Sequence, residues 1–224
     1  MMASHSLVRE FCAENATDVP AAIAHGAKRI ELCDNLAVGG TTPSLGVIEA
    51  VSEYAHPRKC DVMVMIRPRG GNYTYTDWEV QMMLKDIAAI LALKTPITGF
   101  VLGALRNEAV DKQVIATLLA PIKQAKHHYE LTFHMAFDEL AVSEQIHAMT
   151  WLIDQGFTRI LTHGGTMRES IDTNLPHLQH LIKQADGRIT ILPGGGITYQ
   201  NALMVAQALG VQEVHGTKIV SLDE

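Results

Sequence analysis

The sequence predicts an α/β protein, a (β/α)8 TIM-like barrel made by one domain over residues 1–224, with an incomplete outer layer of helices. Three observations carry this expectation. Eight short β-branched or aromatic runs alternate with helical stretches, and such alternation builds a parallel sheet. Successive runs begin roughly 22 to 37 residues apart, the size of a βα unit. The loop after the first run, ENATDVP, has no glycine, whereas an open doubly wound sheet usually carries GxGxxG there.

The elements follow in order. The strand runs are LVREFCAE from Leu7, RIELC from Arg29, DVMVMIRPR from Asp61, TGFVLGAL from Thr98 and ELTFHMAFD from Glu130, then TRILTH from Thr158, RITILPGGG from Arg188 and EVHGT from Glu213. Thr42-Pro43 places a capping hydroxyl before a proline at the first helical position. Thr76 and Glu79 form a capping box ahead of VQMMLKDIAAILAL. Pro121 predicts a kink or an early end in the fourth helical stretch. Thr198 opens the stretch YQNALMVAQALG, and Gly210 closes it. After EVHGT only KIVSLDE remains, so the eighth helix is missing. That would bare apolar strand surface at Val8, Phe11 and Val214, and it predicts a homodimer or a higher homo-oligomer.

Composition narrows the function. Hydrophobic residues at 47% are enough for one sizeable core, and charged residues at 19% fit a soluble globular chain. A net charge of −6 with no Lys/Arg run argues against nucleic acid or an anionic membrane as a partner. No stretch approaches the roughly 20 apolar residues of a membrane span. The start, MMASHSLVREFCAEN, lacks the order of a secretory signal. Three cysteines are too few for a disulfide scaffold and suit a reducing cytosol, so a cytoplasmic location is expected.

Alternate residues of a barrel strand point inward. If the apolar neighbours face the helices, Glu31 and Cys33 point in from RIELC. On the first strand an outward Phe11 leaves Glu10, Cys12 and Glu14 inside. The same parity puts Met63, Met65, Arg67 and Arg69 inside on the third strand, Thr132, His134, Ala136 and Asp138 on the fifth, and Glu213 and His215 on the eighth. Glu31, Arg67, His134, Asp138 and His215 then gather toward the strand C-termini, where barrels keep their active sites. They are candidates for acid–base work, against the plainer readings of an internal Glu31–Arg67 ion pair, core histidines and a capping Asp138. Arg69 either holds an anion or ties down the RPRGG loop. Gly194, Gly195 and Gly196 could offer backbone N–H groups to an anion, or could simply make a tight turn. Cys12 and Cys33 fall on neighbouring strands about 4.8 Å apart. Two thiolates there could hold Cu(I), with Met63 or Met65 adding a thioether, though buried free cysteine is also ordinary core filling.

Seven segments taken in order, RIELCDNLAVGGTTPS, VMIRPRGG, GFVLGAL, LTFHMAFD, RILTHGG, LPGGGI and EVHGT, resemble the CutC family, named for copper homeostasis. The resemblance implies a barrel with an unusual outer layer, a cytoplasmic location, oligomerisation and a link to copper, with Cu(I) on cysteines. The family pattern usually reads His-Arg-Ala-Phe-Asp at the fifth strand, whereas Met135 stands in the arginine's place here. By parity Met135 faces out, and its loss should spare the pocket. His163 stands where a serine is common.

Two functions compete. One is a cytosolic copper-homeostasis protein of CutC type that binds Cu(I) through Cys12 and Cys33. The other is a barrel enzyme acting on a small polar or anionic, sugar- or phosphate-like molecule at the C-terminal mouth.

Overall fold

A computed structural model of the protein describes residues 7–95 and 97–222. Residues 1–6, 223 and 224, the ends of the expected domain, lie outside the described residues. All eight expected strands form: β1 (Val8–Glu14), β2 (Arg29–Cys33), β3 (Asp61–Met65), β4 (Gly99–Leu102), β5 (Glu130–Phe133), β6 (Arg159–Thr162), β7 (Thr190–Pro193) and β8 (Glu213–Gly216). They pair in parallel in the order β8-β1-β2-β3-β4-β5-β6-β7. Glu10 stands opposite Arg29 and His215, and Cys12 opposite Glu31. A short hairpin joins Leu105–Arg106 to Ala109–Val110 beyond β4.

Among the described residues seven α-helices surround the strands: α1 (Val19–Ala24), α2 (Leu45–Ala55), α3 (Asp77–Leu91), α4 (Lys112–Gln124), α5 (Val142–Gln155), α6 (Ile171–Ala185) and α7 (Ala202–Leu209). No helix follows β8 among the described residues. The Thr76–Glu79 capping box forms in both directions. The start of α2 differs from expectation. Ser44 is its cap, accepting from the Val47 N–H, because Thr42 is taken up with Arg67: its hydroxyl accepts the Arg67 N–H at 2.9 Å. α7 likewise begins at Ala202, later than Thr198, and Gly210 in the left-handed region ends it. α4 runs through Pro121 for three more residues. The proline removes one bond to the Thr117 carbonyl, and Thr117 is exposed, so water can replace that bond.

The expected bare strand surface is covered within one chain. Phe11 (3% exposed) and Val214 (0%) belong to one buried cluster with Val19 and Ala22 of α1 and Val205 and Leu209 of α7. Val8 shares the inward parity of Glu10 and Cys12. The missing helix therefore creates no demand for a partner subunit. No helix is long and apolar enough to cross a membrane among the described residues.

Glycine lets neighbouring strands close up at one point. A Cβ on Gly99 would lie 2.2 Å from the Glu130 carbonyl oxygen, inside any allowed contact. The inner face carries two kinds of filling. Cys12, Cys33, Met63, Met65 and Val101 form a small apolar cluster of their own. Below it a charged layer crosses the foot of the barrel. Arg29, 2% exposed, pairs with Glu10 and, at 2.6 Å, with Glu213. Arg159 pairs with Glu213 at 2.7 Å and with Glu130. Within this layer each buried charge meets an opposite one, which is the condition for keeping it there.

Candidate functional site

The strand C-termini open into one cavity of ≈ 1070 Å³. Parity holds along β1, β2 and β8, so Cys12, Glu31, Cys33 and His215 all reach its floor. The Cys33 thiol donates to Glu31 Oε1 at 3.6 Å. Glu10 Oε1 lies 2.8 Å from His215 Nδ1. Glu31 Oε2 lies 3.1 Å from the same nitrogen but off the hydrogen-bond direction. Glu31 therefore pairs with His215, and the Glu31–Arg67 pair is not formed. Donor atoms of Cys12, Glu31 and Cys33 lie within 4.8 Å of one another, as do those of Glu10, Glu31 and His215.

This crowding sets the protonation states. The hydrogen bond from Cys33 outweighs burial and, with His215, draws the Cys12 thiol down to about 5. The same contact with Cys12, then burial, pushes Cys33 well up. Burial raises Glu31 to about 8 against the pull of His215. Burial would also raise Glu10, but Arg29 and His215 overcome it and hold Glu10 down at about 2. Burial works against the charge on His215, yet Glu31, Cys12 and Glu10 together keep it well above the usual imidazole range. The result is one thiolate beside one thiol, with a cationic imidazole next to them.

The remaining wall is built beyond the strand ends, where parity no longer applies. Arg67 lines the cavity, but its guanidinium donates to the carbonyls of Val38, Gly39, Gly40 and Gly71 at 2.7–3.0 Å. His134 lines it too. Burial first, then Arg67, lowers its imidazole to about 3. Asp138 also lines the cavity, and burial raises its carboxyl. It accepts from the Thr162 hydroxyl and from the His163 and Gly164 N–H groups, so it secures the loop after β6 and does not cap the following helix.

Arg69 lies outside the cavity. It pairs with Glu79 and donates to the carbonyls of Gly70, Asn72 and Thr74, so it ties down its own loop. Gly195 and Gly196 line the rim in the left-handed region (φ 80° and 72°). Gly194 does not line it, and its N–H is already taken by the Thr162 carbonyl at 3.0 Å. Met135 corrects a parity expectation: β5 ends at Phe133, a 3-10 turn covers Met135–Glu139, and Met135 lines the cavity.

Two participants were not among the site candidates, although parity places Glu10 inside. Glu10 orients His215, and strand closure between β8 and β1 was the signal that could have paired them. Tyr73 sits on the loop after β3, where no periodic pattern reports direction, and its ring lies 4.8 Å from both the His134 ring and the Arg67 guanidinium carbon.

The model of the CutC family matches residues 7–220. The chain belongs to the CutC family. A CutC family protein from Enterococcus faecalis is 50% identical over 96% of this chain and 100% of its own length. The human copper homeostasis protein cutC homolog is 38% identical over 95% of this chain and 74% of its own length. A solved structure from Streptococcus agalactiae, named for CutC, superposes with a TM-score of 0.89 at 44% identity, covering 96% of this chain and 100% of that one. The resemblance to the CutC family that the seven segments suggested is thus shown over nearly the whole chain.

Proposed function

We propose that this CutC protein handles Cu(I) in the cytoplasm, taking the ion between Cys12 and Cys33 at the cavity floor. One observation carries the reading: the two sulfurs lie within 4.8 Å of each other, beside Glu31 and open to the cavity. Two metal–thiolate bonds of about 2.3 Å laid end to end span about 4.6 Å, so the pair can hold an ion almost in line. Thiolate and thioether sulfur select Cu(I) over harder ions. Met65 lines the same floor and Met63 packs behind it, and both belong to the cysteine cluster. Cys12, already drawn toward thiolate, is the first ligand, and Cys33 follows when the incoming cation displaces its proton.

Turnover has less support. Asp138 is committed to the 162–164 backbone and Arg69 to Glu79. The homo-oligomer remains an expectation for light scattering to check. The copper reading is tested by anaerobic competition against a Cu(I) chelator. One ion per chain is expected, and Cys12→Ser or Cys33→Ser should weaken it by more than the roughly 10–100-fold that loss of a supporting neighbour brings. Unchanged affinity in both variants would remove the site.

A further inference from the structure

We infer that the cavity wall formed by Arg67 and His134 is a second ligand site, built for a small monocarboxylate with an apolar body. Two buried groups there lack what their chemistry calls for. Arg67 is 2% exposed, and among the described residues no carboxylate stands within ion-pair distance of it. Its guanidinium meets four backbone carbonyls, which are dipoles and carry no full negative charge. A buried cation without a counter-ion is unfavourable.

His134, 3% exposed, has the matching deficiency. Its Nδ1 accepts the Ala136 N–H at 3.2 Å, which places the proton of the neutral ring on Nε2. That Nε2–H is buried and has no acceptor among the described residues. The Tyr73 ring bridges the two groups, with the Arg67 guanidinium over its face at 4.8 Å and the His134 ring tilted against it at 4.8 Å, and all three line the cavity. The ring stays neutral at ordinary pH, so it acts as a donor and adds no second charge.

An anionic oxygen acceptor satisfies both groups at once: its charge answers Arg67, and one oxygen accepts from His134 Nε2. A water molecule would satisfy only the second. A dianion fits poorly, because four carbonyl oxygens already crowd the guanidinium and Glu31, Asp138 and Glu139 line the same cavity. A planar monoanion suits it better. Leu36, Met65, Leu140 and Leu161 line the adjoining surface and would receive a short apolar body. Neither thiol takes part, so the site stands or falls independently of the Cu(I) reading.

The test uses the whole chain, with butyrate and pyruvate as probes and inorganic phosphate and butyramide as controls. NMR follows the His134 Nε2–H resonance during titration. Saturable binding of a carboxylate that moves this resonance is expected. His134→Phe, which keeps the ring but removes the donor, should weaken binding about ten- to hundredfold, and Cys12→Ser/Cys33→Ser should bind as the wild type does. No movement of the resonance in the wild type with either carboxylate would mean that water alone fills the site, and would overturn the proposal. So would tighter binding of phosphate or butyramide, or undiminished binding by a folded His134→Phe.

Discussion

Acidification from pH 7 to pH 5 should remove about 2 kcal/mol of stability that resides in His134. Burial and Arg67 depress this imidazole to about 3 in the folded chain, from about 6.5 when unfolded. A depressed group contributes stability above its unfolded value and loses it as the pH falls toward the folded value. At pH 5 the unfolded chain binds a proton that the folded chain refuses. The gap of about 1.5 pH units, at 1.36 kcal/mol each, gives the figure. Two neighbouring floor groups have the opposite sign. Glu31, raised to about 8, and His215, raised well above its usual range, both gain stability as the pH falls from 8 to 6. The overall stability curve therefore hides His134. Comparison with His134→Phe exposes it, because that variant keeps every other titration and adds only a constant loss from the unpaired Ala136 N–H. Urea unfolding of both proteins at pH 7, 6 and 5 should show the wild type losing about 2 kcal/mol relative to the variant. A gap that stays constant across this range would refute a buried neutral imidazole.

Two other perturbations follow from the barrel interior. Arg29→Met removes the cation between Glu10 and Glu213 and should cost about 3–5 kcal/mol, read from the urea midpoint. A loss below about 1 kcal/mol would mean that His215 and Arg159 suffice for the two carboxylates. Iodoacetamide at neutral pH should modify Cys12 well before Cys60, since Cys33 draws Cys12 down to about 5 while burial and Asp61 push Cys60 up to about 12. Peptide mapping that finds the two equally reactive would contradict the assignment of the thiolate.

The barrel was legible because its signals are local. Each strand is a short β-branched run, and Thr76 with Glu79 marks a helix start without help from elsewhere. Parity also located Glu31, Cys33, Cys12 and His215, since these lie within regular strand where side chains alternate. It failed where strand became loop. Arg69 turns back to Glu79, and Met135 enters the cavity from a 3-10 turn. The charged foot was hidden for another reason. Arg29 bridges Glu10 and Glu213, and Arg159 bridges Glu213 and Glu130, across strands distant in the chain, so only the curl and register of the nearly closed sheet bring them together. Cover for Phe11 and Val214 likewise depends on how α1 and α7 pack, which residue patterns do not report.

The central claim is that Cys12 and Cys33 hold Cu(I) through sulfur. X-ray absorption at the copper edge of the Cu(I)-loaded chain, prepared without oxygen, tests it most directly. Two sulfur neighbours are predicted, with a third at longer distance if Met65 joins. Cys12→Ser should reduce the sulfur shell by one. A shell of nitrogen and oxygen alone, or an unchanged sulfur shell in Cys12→Ser/Cys33→Ser, would contradict the account.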